Sequence, residues 1–254
     1  EIDPKAPYYV IANTSASAVQ AVNKAISQGK SVYLTDDGYI VDRDTFASLL
    51  PNYAIYGEAL YKVPNGPTLK PLKIYSPNYH YDWTGVDAPA HTSLVLEKLG
   101  FQIVDTPDEA DVIVLENNRF DASIFGKKPT LVIGGEAMQK LEKLGVLSGF
   151  DAEKLKGGSD YEGLMKAIID DQDPLTSGYK KNALFYSNSG NWIEKVPSNF
   201  KALMSIASSD YYIAGWWPKN EVLANKVMAI SGELLGQPLF VYAGNPTNRQ
   251  HPVH

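Results

Sequence analysis

The stretch TLVIGGEAMQKL, residues 130–141, decides how the rest of the chain is read. A short run of strand-forming residues ends in Gly134-Gly135, and helix formers follow without a break. Strand, tight turn and helix in direct succession form an elbow, the place where many α/β enzymes hold a nucleophile. The residue at this turn is Glu136, and the chain of 254 residues contains no cysteine. Two readings of Glu136 stand side by side. A carboxylate in the first turn of a helix is kept ionised by the helix dipole and could hold a cation or a hydroxyl. Equally, an acidic first-turn residue simply favours the helix, by about 0.3–1 kcal/mol.

Outward from this stretch, strands and helices alternate. Strands are expected at 8–12, 31–35, 72–76, 101–104, 111–115 and 183–187. Helices are expected at 15–28, 42–50, 88–99, 136–144 and 161–169. The helix over 15–28 places Val19, Val22 and Ile26 on one face, with Ser15 at its start and Gly29 after its end. Residues 226–233 and 238–242 read as an antiparallel pair joined through LLGQ. The pattern predicts a flavodoxin-like α/β fold, a mostly parallel sheet with helices on both faces and a C-terminal antiparallel hairpin. The Pro/Gly-rich connector VPNGPTLKP, residues 63–71, divides a βαβ-like portion (1–66) from the main α/β domain (67–254).

Composition removes several classes of function. The net charge of −6, with no local Lys/Arg cluster, argues against nucleic acid. No run of about 18 apolar residues suggests a membrane span. The opening EIDPKAPYY lacks the basic and apolar regions of a signal peptide, so an exported protein would be present in mature or excised form. Absence of cysteine excludes disulfides, thiolate metal sites and thiol nucleophiles. His80 and His91 lack the His-x-x-Glu or His-Glu-x-x-His spacing of a zinc peptidase, and His251 and His254 flank a proline at the chain end. GxSxG, GxxxxGK[ST] and GxGxxG are all missing.

Ligands of open parallel sheets sit beyond the carboxyl ends of the strands. That rule nominates Tyr81, Asp82 and Trp83 after LKIYS, Glu116, Asn117 and Arg119 after DVIVL, and Gly135 with Glu136 after TLVI. It also nominates NSGNW, residues 188–192, after ALFYS. These loops could form one cleft, or be four solvent-facing loops. Trp216-Trp217 is a second aromatic concentration, either a platform for sugar or peptide or a wedge beside the terminal hairpin.

The succession KIYSPNYHYDWTGVDAPAHTSLVLEKLGFQIVD, DVIVLENN and TLVIGGEAMQKLEKLG resembles glutamine-amidotransferase-like domains. More narrowly, it resembles those found behind the catalytic domain of secreted bacterial zinc carboxypeptidases. The tail SDYYIAGWWPKNEVLANKVMAISGELLGQPLFVYAGNPTNRQHPVH and the front segment AVQAVNKAISQGKSVYLTDDGYIV resemble the same group. Working amidotransferases use Cys, His and Glu. The elbow position here matches Glu136, and no histidine matches the family's general base. The resemblance therefore implies an accessory, binding domain with no catalytic residue, metal ligand or cofactor of its own. Zinc would belong to a catalytic domain outside this chain, and that domain would be the partner. Peptide or cell-wall glycan is the expected ligand class, and the location secreted or cell-surface. The competing expectation is a hydrolase of the same fold using Asp82, Glu116 and Glu136 with a bound metal, or a sugar-active protein resembling the ThuA-like group. A helix that would close the sheet is expected beyond RQHPVH or from a neighbour.

Overall fold

The structure, a computed structural model, describes residues 2–77, 79–80, 87–88, 91–155, 161–176, 178–187 and 190–246. The N-terminal portion comprises β1 (Tyr8–Ile11), α1 (Ala16–Ser27), β2 (Tyr33–Thr35), β3 (Gly38–Asp42), α2 (Arg43–Leu49) and β4 (Gly57–Leu60). Ser15 caps α1, its Oγ accepting the Ala18 N–H at 3.2 Å, and Ala18, Ala21, Val22, Ala25 and Ile26 form the buried stripe. Asp42 caps α2 by accepting both the N–H and the Oγ1–H of Thr45, and Phe46 stacks on Tyr9 at 4.4 Å.

In the N-terminal portion β1, α1 and β2 form a split βαβ arrangement: β1 and β2 run in the same direction, each antiparallel to β3 between them. The strand order is β2-β3-β1-β4 with every neighbouring pair antiparallel, so β3 lies between β1 and β2. The physical reason is the turn Asp36-Asp37, which folds the chain straight back into a hairpin. Gly38 makes that fit possible: its φ is +136°, and a Cβ there would lie 2.2 Å from the Ile11 carbonyl oxygen.

The remaining chain forms β5 (Lys73–Tyr75), β6 (Tyr79–His80), β7 (Asp87–Ala88), α3 (His91–Lys98), β8 (Gln102–Val104), β9 (Val112–Leu115), β10 (Thr130–Ile133) and α4 (Gly135–Leu144). These are followed by β11 (Asp151–Lys154), β12 (Glu162–Ile169), β13 (Asn182–Ser187), β14 (Asn191–Lys195), β15 (Phe200–Ile206), β16 (Tyr212–Trp216), β17 (Val227–Leu234) and β18 (Gln237–Tyr242). The central sheet is parallel in the order β18-β10-β9-β5-β8. Counted along the chain, that is the 2-1-3-4-5 order of a flavodoxin-like sheet. Alternation along each strand builds both faces. Ile113, Leu115 and Val132 pack with Met138 and Leu141 of α4, while Ile74, Val114 and Ile133 pack with Leu96 of α3. The predicted fold class is therefore the observed one, with β17 and β18 as the expected antiparallel hairpin.

Beyond β17 the same sheet continues as antiparallel strands β15, β12 and β13, with β11, β14 and β16 attached. One expectation fails in this region: residues 161–169 are not helical, and β12 runs through them. EGLMKAII contains good helix formers, but Gly163, Met165, Ala167 and Ile169 are buried on alternate positions, which is a strand's period of two. Pairing with β13 on one side and with β15 and β16 on the other overrides local propensity. The two portions of the chain meet where α1 caps α3. The Gln20 and Asn23 side-chain amides donate to the carbonyls of Lys98 and Leu99 at 2.9 and 2.8 Å.

Candidate functional site

In a 2-1-3-4-5 sheet the order reverses between the first and third parallel strands, here β5 and β9. The two carboxyl ends at that point are Ser76-Pro77 and Glu116-Asn117. A hydrogen bond joins them. The buried Asn117 donates from Nδ2 to the Pro77 carbonyl at 3.2 Å, and its Oδ1 accepts the Arg119 N–H at 2.9 Å. Asn117 thus pins one loop to the other and shapes the loop that presents Arg119, an exposed side chain. Ser76, also buried, places its Oγ at this edge without a hydrogen-bond partner among the described residues.

Glu116 faces the start of α3. Its carboxylate accepts the Thr92 N–H at 3.3 and 3.2 Å on its two oxygens, and also accepts the Thr92 hydroxyl. Asn245, just past β18, donates to the same carboxylate at 3.4 Å. The N-terminal N–H groups of a helix lack intrahelical acceptors, and a carboxylate from a neighbouring strand supplies one with favourable charge. Glu116 is a helix cap delivered from 24 residues away.

At the elbow, the residue with unusual backbone is Gly134 (φ +83°, ψ 158°), which precedes α4 and carries no side chain. Its N–H is shared between the carbonyls of Tyr242 and Gly244, both at 2.9 Å. Gly135 is the first helical residue, and it is glycine because Asn191 lies against it: a Cβ there would sit 1.9 Å from Asn191 Nδ2. Asn191 is itself buried and accepts from Gln139 Nε2 at 2.9 Å. Glu136 follows in the first turn of α4, exposed, with no hydrogen bond or ion pair among the described residues.

The loops nominated from sequence therefore do touch one another. The loop after β5 meets that after β9 through Asn117, and Asn191, the first residue of β14, meets the α4 turn. Tyr81, Asp82 and Trp83 lie outside the described residues. Thr92, Asn191 and Asn245 were not singled out as site residues, although Asn191 belongs to a nominated loop. Asn245 was discoverable as the first polar side chain beyond a fifth carboxyl end, after PLFVY. Among the described residues no three His, Asp or Glu side chains converge as a metal ion would require. No helix among them is long and apolar enough to cross a membrane.

At the far end of α4, Glu142 lies beside Asp151. Partial burial, followed by the hydrogen bond and charge of Asp151, raises the Glu142 carboxyl above its ordinary range. Asp151 is held below its own by Lys195, whose Nζ is 2.8 Å away.

No protein-family model matches the chain, and no curated protein matches it in sequence. Among solved structures the chain is similar to a GMP synthase subunit of Thermoplasma acidophilum (17% identity, TM-score 0.47, 72% of this chain and 88% of that one). It is similar to a glutamine amidotransferase of Thermotoga maritima (11%, TM-score 0.42, 69% and 76%). A third is a ThuA-like protein of Parabacteroides merdae (10%, TM-score 0.41, 68% and 79%). At this distance the likenesses say nothing of chemistry, and the fold assignment rests on strand order and register.

Proposed function

We infer that this chain is a binding domain without catalysis of its own, built on an amidotransferase-like α/β framework. The observation that carries the reading is the state of the elbow and its acids. The turn residue with positive φ is Gly134, which offers no nucleophile; Glu116 is committed to capping α3; and Glu136 projects from α4 with no hydrogen bond or ion pair among the described residues. An enzyme at this edge would need a nucleophile or bound water with a base oriented toward it.

The sequence resemblance supports a more particular role. In it the domain is secreted or cell-surface, rides behind a zinc carboxypeptidase catalytic domain that holds the zinc, and contributes contacts to peptide or cell-wall glycan. The test is turnover by the purified chain. Glutaminase and peptidase assays are expected to match the protein-free blank, and sustained hydrolysis without added metal would sink the reading.

A further inference from the structure

Trp216 and Trp217 are neighbours with opposite fates. Trp217 is 2% exposed and packs in the main core against Tyr161, whereas Trp216 is 61% exposed. Trp216 is nevertheless held. Its ring stands edge-to-face on buried Tyr161, with centroids 5.3 Å apart and planes at 68°. A large indole face is thus presented to water from an anchored position.

The register shows what surrounds it. Glu162 of β12 pairs with Trp216, and Leu164 pairs with Ala214 on one side and Tyr186 on the other. Directly paired residues share a face, so these side chains stand together on the outer side of the sheet, opposite the core positions Met165 and Ala167. From β16 to β13 the face is about 10 Å wide. Exposed Ala214 leaves the ground beside the indole low. Tyr186 donates its hydroxyl to Glu162 Oε2 at 2.7 Å, which fixes the carboxylate, and Glu162 Oε1 has no hydrogen-bond partner among the described residues.

We propose that this face binds a β-1,4-linked pyranose chain, stacked on Trp216 and hydrogen-bonded through its hydroxyls to Glu162. The indole supplies an apolar, rigid surface for the C–H face of a sugar ring, and the fixed carboxylate accepts from hydroxyl groups beside it. An open sheet face suits a flat, extended chain better than a compact ligand, which needs a pocket. Charge selects further: Glu162 stands beside the indole and the net charge is −6, which disfavours an anionic glycan there, while Lys166 lies four residues along the same face. A protein partner would seek a contiguous apolar patch of several hundred Å², roughly, and Glu162 and Lys166 interrupt this one. This deepens the binding role inferred above and rests on it only in that ligand is held rather than cleaved.

The experiment is titration of the purified chain with cellotetraose and with chitotetraose, read by calorimetry and tryptophan fluorescence. Saturable binding of at least one is expected. Trp216→Ala should weaken it about tenfold or more, and Trp216→Tyr much less. Glu162→Gln should weaken it about threefold, and Tyr56→Ala, an exposed tyrosine on the N-terminal portion, should leave it unchanged. No saturable binding of either sugar, or undiminished binding by folded Trp216→Ala, would overturn the proposal. So would binding of an unrelated peptide in place of both sugars. Glutamine or peptide hydrolysis by the chain would instead defeat the non-catalytic reading while leaving these affinities as they are.

Discussion

One sheet runs through the main portion of this molecule, yet its two halves handle their polar residues in opposite ways. In the parallel half, helices lie on both faces and the polar side chains at the carboxyl edge hold the architecture together. Glu116 caps α3 and Asn117 ties two loops. In the antiparallel half, β12 buries one side chain in two, and on its other face Lys166 is exposed and Glu162, Leu164 and Ile168 are half-buried. The difference follows from connection geometry. Crossovers between parallel strands carry helices back over the sheet, whereas hairpins leave a face uncovered. Polar side chains at a carboxyl edge can therefore be structural, while the face of the antiparallel half is the one on which recognition is proposed.

The sharpest way to break this contrast is to truncate the paired tryptophans separately. Trp217→Ala should cost about 3–5 kcal/mol by leaving a cavity in the core, and Trp216→Ala about 0.5–1 kcal/mol, the value of an edge-to-face ring contact at the surface. Urea unfolding of the two variants measures both, and equal costs would contradict the division of faces. Next in size is Gly135→Ala. The methyl would collide with buried Asn191, and overpacking of this kind costs about 1–3 kcal/mol. Adding Asn191→Gly should recover part of the loss; no recovery would show that another contact requires the glycine.

Glu116→Ala should cost about 1 kcal/mol, as expected for a lost helix cap. Removal of a catalytic acid commonly leaves stability unchanged or raised, so an unaltered unfolding midpoint would mean that Glu116 is not committed to α3. The smallest effect concerns pH. Glu142 has a raised folded-state pKa, so the folded chain keeps a proton that the unfolded chain has released. Its contribution is neutral below the ordinary Glu range and becomes unfavourable as pH rises through the raised value. Glu142→Gln should therefore gain stability at pH 7 relative to pH 4, seen as a smaller pH dependence of the melting temperature.

The parallel half was largely legible in the sequence because each of its features is local. Ser15 and Gly29 bracket α1, and the apolar runs at 111–115 and 130–134 are bounded by turn residues. The antiparallel half was legible at β13 and at the β17–β18 hairpin but not at β12. Residues 161–169 carry helix-forming Leu, Met, Lys and Ala, and only partners more than 10 residues away make them a strand. The chemistry of the edge was half legible. Glu116 and Gly135 were correctly placed at carboxyl ends, but capping by Glu116 of a helix begun 25 residues earlier has no sequence signature. Trp216 and Trp217 were readable as alternatives, platform or wedge, and burial separates them: Trp217 is packed in the core and Trp216 is exposed.

Hydrogen exchange with and without chitotetraose tests the contrast between the two halves most directly. Protection is expected at 162–166 and 212–216, with the loops at 116–119 and 134–137 unchanged. Protection confined to those loops would return recognition to the carboxyl edge and contradict the account.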